Sequence, residues 1–282
     1  DHRDLHLSLR RQRQMCIRDR YEYSNLVAGV VQSTRLTPSN YNGLKIISWD
    51  VQRSIGIDGL TYRDSAGNII NTYSSYDEIS NIEFIVSGEV ETFDTNGVFS
   101  SEVDKTNPYS YLRNTNLTEP DAEIRDLALS SQTVGDDEIE TGHELLSNIA
   151  NLVQYIPYTT NTFTTAAEAL KQKKGVCQDQ AHIMISSARF LGIPARYING
   201  YMHNNMNSSE FQSTHAWAEL YFQNLGWVGF DPTNRCSPDE RYIRVSSGLD
   251  ANYAAPIKGI IYGTSTEKLK IKVETQQINS QQ

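Results

Sequence analysis

Cysteine is scarce in this sequence, with three in 282 residues: Cys16, Cys177 and Cys236. So few, and an odd number, cannot make a disulfide framework and leave at least one free thiol. That fits a reducing compartment, or one reactive cysteine, better than a stapled secreted scaffold, and a cytoplasmic location is expected. Long apolar runs are absent too. None approaches the ~18–20 residues of a membrane-spanning helix, so no membrane partner is expected. Positive charge is in deficit, 25 Lys and Arg against 34 Asp and Glu, a net charge of −9. This argues against a nucleic-acid partner, whose surface needs clustered basic side chains. Only 8 residues are proline, and 38% hydrophobic with 21% charged residues describes a folded globular chain.

The first twenty residues stand apart. They hold six Arg against three Asp, lack an initiator Met, and show neither helical nor strand period from Leu7 to Arg20. They also lack the apolar stretch of a secretory signal. The segment reads as a non-native or disordered tail, with Cys16 inside it. From Tyr21 to about Arg113 the pattern has period two. Leu44 to Val51 reads as a strand, and Glu83 to Phe93 alternates with Phe84, Val86 and Val90 on one face. Leu60–Arg63 and Ile69–Thr72 flank Asp64-Ser65-Ala66-Gly67-Asn68, where Gly67 and Asn68 tolerate positive φ, predicting a hairpin. Residues 21–113 are therefore expected to form a β-sandwich-like domain.

After Arg113 the period changes. Thr118-x-x-Asp121, with Pro120 between them, predicts a helix through Ala128. Thr141-x-x-Glu144 predicts a second, and Thr165-x-x-Glu168 a third to Lys174 with Gly175 as its stop. A fourth is expected from Val176 to Leu191. Strands follow at Ala195–Met202, Thr214–Phe222 and Trp227–Asp231, then at Tyr242–Val245, Ile257–Tyr262 and Lys268–Val273. Helices in a block followed by an antiparallel sheet make residues 114–275 an α+β domain, ahead of a polar tail at 276–282.

Cys177 falls at the first turn of the fourth helix, directly after Gly175 and Val176. Free backbone N–H groups and the helix dipole stabilise a thiolate there. A thiolate nucleophile needs a partner that can take and return a proton, usually His. His2 and His6 lie in the tail, His143 on an exposed helix start, and His203 opens a polar stretch. His182 follows Cys177 by five residues, about 500° of helix, so it faces roughly 140° away and reads as a core histidine. His215 remains. Alternation puts His215, Trp217, Glu219 and Tyr221 on one strand face, suited to lining a cleft. A five-residue connection from Tyr221 to Trp227 would set Asp231 on that same face, diagonal to His215; a four-residue connection would separate them. From that position Asp231 could orient the imidazole.

Gly175-Val176-Cys177-Gln178-Asp179, Thr214-His215-Ala216-Trp217-Ala218-Glu219 and Gly226 through Asn234 together resemble the bacterial transglutaminase-like family, with the Cys, His and Asp 38 and 16 residues apart. Arg35-Leu36-Thr37-Pro38 and Asp64-x-x-Gly67-Asn68 are similar to that family's N-terminal β domain. The resemblance implies a papain-like core in which Cys177 is the nucleophile, His215 the base and acid, and Asp231 the orienter. It implies an oxyanion or cleft position for Tyr155, Gln178 and Trp217, and supporting positions for Asp179 and His182. Tyr158 stands where the family commonly has glycine. Gln180 replaces a commonly aromatic or histidine position, with consequences for substrate fit.

The chemistry implied is attack on an amide or acyl carbonyl through a thioester, on a protein or peptide bearing glutamine or another amide. Water as acceptor makes a cysteine peptidase or amidohydrolase, the favoured reading because water is always present; a lysine amine makes a transglutaminase. A peptide-binding pseudoenzyme is a further alternative. No cofactor is called for, since no calcium-loop pattern appears, and Cys177, His182, His215 and Cys236 match no compact zinc spacing. The polar loop from Met202 to Ser213, just before His215, is placed to gate the cleft.

Overall fold

The computed structural model describes residues 11–133, 137–203, 214–263 and 267–278. Two four-stranded antiparallel sheets hold most of the first hundred residues. Their strands are β1 (Arg11–Val27), β2 (Gly29–Thr37), β3 (Leu44–Arg53), β4 (Ile57–Arg63), β5 (Ile69–Ser75) and β6 (Ile79–Thr92), joined by two late strands, β14 (Ile257–Tyr262) and β15 (Glu267–Ile278). One sheet runs β15-β1-β6-β3 and the other β14-β2-β5-β4. Period-two alternation produces the packing: Phe84, Val86 and Val90 of β6 are buried together with Val30, Leu36, Leu44, Tyr73 and Ile82. Removing such side chains from water drives the two faces together.

The remainder is an α+β core. Its sheet has the order β13-β10-β11-β12-β7, built from β7 (Val98–Phe99), β10 (Ala195–Met202), β11 (Thr214–Phe222), β12 (Gly226–Phe230) and β13 (Tyr242–Gly248). Helices α1 (Ala122–Ser131), α2 (Glu138–Leu152), α3 (Ala166–Gln172) and α4 (Cys177–Phe190) share a buried apolar cluster with β10, β11 and β12. On the other side Tyr201, Ile243 and Val245 of β10 and β13 join the cluster of the N-terminal sheets. The central strands are thus covered on both faces, and β10, β11 and β13 are buried nearly throughout. Among the described residues no helix is long and apolar enough to cross a membrane.

Several expectations need correction. A strand begins at Arg11, its backbone paired with both β6 and β15, although Leu7–Arg20 shows no strand period. A central strand is held by backbone pairing on two sides, which an irregular sequence still provides. Residues 1–10, with His2 and His6, lie outside the described residues. The strands Ile257–Tyr262 and Lys268–Val273, expected in the C-terminal half, pair with β2 and β1 instead, and β7 crosses the other way to pair with β12. Residues 276–278, expected in the polar tail, belong to β15. In the hairpin Gly67 does take φ +82°, whereas Asn68 is not among the positive-φ residues. Asn68 is buried, and its side chain donates to the Ser247 carbonyl at 3.0 Å and accepts from the Ser247 N–H at 2.9 Å, joining this loop to β13.

Two helix starts also differ. Asp121 caps α1 by accepting from the Ile124 N–H, and Asp137 caps α2 by accepting from Ile139 and Glu140. The Thr118 hydroxyl instead receives a hydrogen bond from Arg189, and Thr141 lies buried inside α2. The capping box of Thr165 and Glu168 is present on α3. That helix ends at Gln172, where Lys173 rather than Gly175 adopts the left-handed conformation.

Candidate active site

Cys177 is the first residue of α4 and half-buried. The turn before it is built by a parallel bridge between β8 (Gln154–Tyr155) and β9 (Lys174–Gly175), in which Tyr155 pairs with Gly175. Asp179 folds back to accept from the Val176 N–H at 2.7 Å and from the Thr160 hydroxyl at 2.6 Å. Gly175 makes room for it, since a Cβ there would sit 2.7 Å from Asp179 Oδ2. Asp179 is buried, and burial pushes its carboxyl pKa up against those hydrogen bonds. Asp179 thus occupies the Val176 N–H at the start of the helix.

His215 and Asp231 meet. The register between β11 and β12 pairs Tyr221 with Trp227 and Ala218 with Phe230, which is the five-residue connection. Asp231 therefore lies on the His215 face, and its Oδ2 is 2.6 Å from His215 Nε2. Both side chains are buried. Burial opposes a charge on the imidazole, but the Asp231 carboxylate and the Cys177 sulphur outweigh it and raise His215 to about 10. Burial likewise opposes the Asp231 charge and is outweighed by His215 and the hydrogen bonds it receives, which lower its pKa.

Two residues overlooked in the sequence complete this pair. The Tyr242 hydroxyl donates to Asp231 Oδ2 at 2.7 Å and the Asn234 amide donates to the same oxygen at 2.7 Å. Asp231 Oδ1 accepts from the Thr233 and Asn234 N–H groups. A carboxylate so fully hydrogen-bonded stays ionised and fixed in one rotamer. Asn234 is adjacent in sequence and its signal was the Asp-Pro-Thr-Asn turn. Tyr242 comes from β13, beyond any local signal. Burial and Asp231 keep its hydroxyl protonated as a donor.

The other candidates divide. Tyr155 is 47% exposed and close enough to Cys177 that burial and the sulphur's charge raise its pKa. Trp217 is not in the cleft. It is buried, stacks on His215 with ring centres 6.2 Å apart and meets Tyr242 edge-on at 5.4 Å, so it packs behind the imidazole. The strand face it shares turns inward, and Glu219 there is paired with Arg196 and Arg244 rather than with solvent. Gln180 is not on the substrate side either. Buried, it donates to the Val153 carbonyl at 2.7 Å and accepts from the Thr233 hydroxyl at 2.6 Å, tying the Asp231 turn to the end of α2. His182 is fully buried, and its Nε2 accepts from the Ala251 N–H at 3.1 Å. Burial lowers its pKa to about 4. Cys236 lies 3.4 Å from the Tyr242 hydroxyl, its thiol pKa pushed up by burial. Among the described residues no group of three His, Cys, Asp or Glu side chains could hold a metal ion. The loop expected to gate the cleft lies, at 204–213, outside the described residues.

Comparison with known proteins gives the same fold. Residues 126–232 match the model of the transglutaminase-like superfamily, and residues 17–91 that of the bacterial transglutaminase-like N-terminal region. The structure of a candidate cysteine protease from Cytophaga hutchinsonii superposes with a TM-score of 0.76 at 19% identity, over 97% of this chain and 93% of that one. An uncharacterised protein of Mycobacterium leprae is 38% identical over 126 residues, 43% of this chain and 44% of its own length. A protein-glutamine gamma-glutamyltransferase of Pseudomonas aeruginosa is 30% identical over 105 residues, 33% of this chain and 15% of its own length. This chain spans less than half the length of the curated relatives it matches.

Proposed function

Because the chain belongs to the transglutaminase-like superfamily, we propose that it is a thiol-dependent amide- or acyl-transfer enzyme with Cys177, His215 and Asp231 as its triad. The observation that carries this reading is the buried His215–Asp231 pair at 2.6 Å beside a sulphur at the first turn of a helix. The Cys177 thiolate attacks the carbonyl carbon of an amide, and the Cys177 and Gln178 N–H groups take the resulting oxyanion. The His215 imidazolium gives its proton to the departing nitrogen. The C–N bond breaks, ammonia or an amine leaves, and a thioester remains. An acceptor then attacks, losing a proton to His215, and the thiolate returns. Asp231 holds the ring and supports its charge throughout.

Water is the acceptor we favour, making the protein a cysteine peptidase or amidohydrolase on peptide substrates. Cys177 is only half-buried and Tyr155 beside it is half-exposed, so solvent reaches the thioester. The gamma-glutamyltransferase among the relatives supports an amine acceptor as the second reading. One assay separates them. Glutamine and other amide peptides are incubated with and without a primary amine, and ammonia release and amine incorporation are read by mass spectrometry. Hydrolysis without amine, lost in Cys177→Ser, is expected; product only with the amine would favour transamidation. No turnover, with wild type and Cys177→Ser binding a peptide alike, would make it a pseudoenzyme.

A further inference from the structure

The segment bordering Cys177 carries three exposed aromatic side chains: Tyr155 at 47%, Tyr158 at 94% and Phe163 at 81% exposure. Its backbone is fastened to the nucleophile's turn at both ends. Tyr155 pairs with Gly175, the Ile156 N–H donates to the Gly175 carbonyl at 2.9 Å, and the Thr160 hydroxyl donates to Asp179 Oδ2 at 2.6 Å. The Thr159 hydroxyl closes the turn on the Ile156 carbonyl at 2.8 Å. Residues 155–160 therefore keep a set position relative to Cys177.

Tyr158 stands in this turn with φ +63°. That is left-handed backbone, costly for any residue with a Cβ and unusual for a bulky one. At 94% exposure the ring recovers nothing by packing inside the fold. Strain of this kind gathers at sites where the held geometry has a use. The Tyr155 hydroxyl is close enough to both Tyr158 and Cys177 to feel the charge of each.

We propose that Tyr158, with Tyr155 beside it, is a specificity ledge: it takes the aromatic or large aliphatic side chain of a peptide residue flanking the carbonyl that Cys177 attacks. The proposal rests on Cys177 being the nucleophile. Its substrate class is a peptide with a bulky apolar residue next to the reacting amide, since an exposed ring offers an apolar face and no charge to select a polar neighbour. An occupant there borders the bond to be broken, because the Tyr158 turn is fastened to the Gly175–Asp179 segment that carries Cys177.

The test uses Cys177 itself and needs no known substrate. Iodoacetamide, N-benzyl iodoacetamide and N-(2-hydroxyethyl) iodoacetamide each alkylate the thiolate by forming a C–S bond and expelling iodide. Labelling of Cys177 is followed by peptide mass spectrometry, and each rate is divided by that reagent's rate with glutathione. In wild type the benzyl reagent is expected to exceed the other two by roughly three- to tenfold, the size of one aromatic contact. Tyr158→Gly brings that ratio close to one, and Tyr158→Phe keeps it. A Tm for Tyr158→Gly no lower than wild type shows that the variant is folded. A ratio near one in wild type, or one that survives Tyr158→Gly, overturns the proposal. If no reagent labels Cys177 faster than Cys236, the nucleophile reading itself falls and takes the ledge with it.

Discussion

Two histidines are buried in this core, and the protein treats them in opposite ways. His182, in the middle of α4, is 0% exposed and lowered to about 4; His215, on β11, is 8% exposed and raised to about 10. Loss of water is the same for both and disfavours the cation in both. The difference lies in the partners. His182 accepts a backbone N–H from Ala251 and packs its ring on Tyr197 at 5.1 Å, an environment suited to neutral imidazole. Asp250 pulls its pKa upward and does not outweigh burial. His215 faces an ionised carboxylate at 2.6 Å that is pinned by Tyr242 and Asn234, with the Cys177 sulphur near enough to add to the shift. Burial beside a distant carboxylate that a neighbouring Arg189 offsets leaves His182 neutral, and burial against a directly bonded carboxylate leaves His215 charged.

Asp231→Asn breaks the contrast most completely. Without the carboxylate His215 falls well below about 10, because only the Cys177 sulphur is left to oppose burial. Turnover of any amide substrate drops by roughly two to four orders of magnitude. Histidine titration by NMR reads the first and steady-state kinetics the second. The sign for stability follows. Pairing of His215 stabilises the fold fully below about pH 6.5 and ceases to do so as pH rises through about 10, so the variant loses that alkaline decline.

His182→Gln sharpens the comparison from the other side. Glutamine keeps an acceptor for Ala251 but cannot titrate. In wild type the unfolded chain gains a proton near pH 6.5 that folded His182 refuses until about pH 4, so stability is lost as pH falls through that window. Between pH 7 and 5 the loss is about 2 kcal/mol. Thermal melts should show that acid sensitivity shrinking in His182→Gln, and equal sensitivity in both proteins would contradict it. Tyr242→Phe is expected to act least. It removes one of several donors to Asp231 and leaves the ring packing, costing about 0.5–1.5 kcal/mol of unfolding free energy at pH 7, read by chemical denaturation.

The positions of Cys177, His215 and Asp231 were legible because each carries a local signal. Cys177 follows a glycine at a helix start, and the spacing across the β11–β12 turn decides whether His215 and Asp231 share a face. What escaped is non-local or depends on which side of an element faces inward. Alternation groups Trp217 with His215 correctly but cannot tell a cleft from an interface between layers, so the indole was misassigned. Tyr242 and the join of Asn68 to Ser247 bring together residues far apart in the chain. Gln180 reads as an altered substrate contact by position and is a buried tie once its two partners are seen. The helix starts were displaced because Asp121 caps the Ile124 N–H and Asp137 the Ile139 and Glu140 N–H groups, so α1 begins after Thr118 and α2 before Thr141. Pro120 favours this for α1, since the residue before a proline is held extended.

We propose that His215, held as a cation by Asp231, activates the Cys177 sulphur as a nucleophile. The pH dependence of Cys177 carboxamidomethylation in wild type and His215→Ala, with Cys236 as internal reference, tests it directly. Rapid labelling of wild-type Cys177 in mildly acidic buffer, lost in His215→Ala while Cys236 stays slow in both, is the predicted result. Superimposable curves for the two proteins would contradict it.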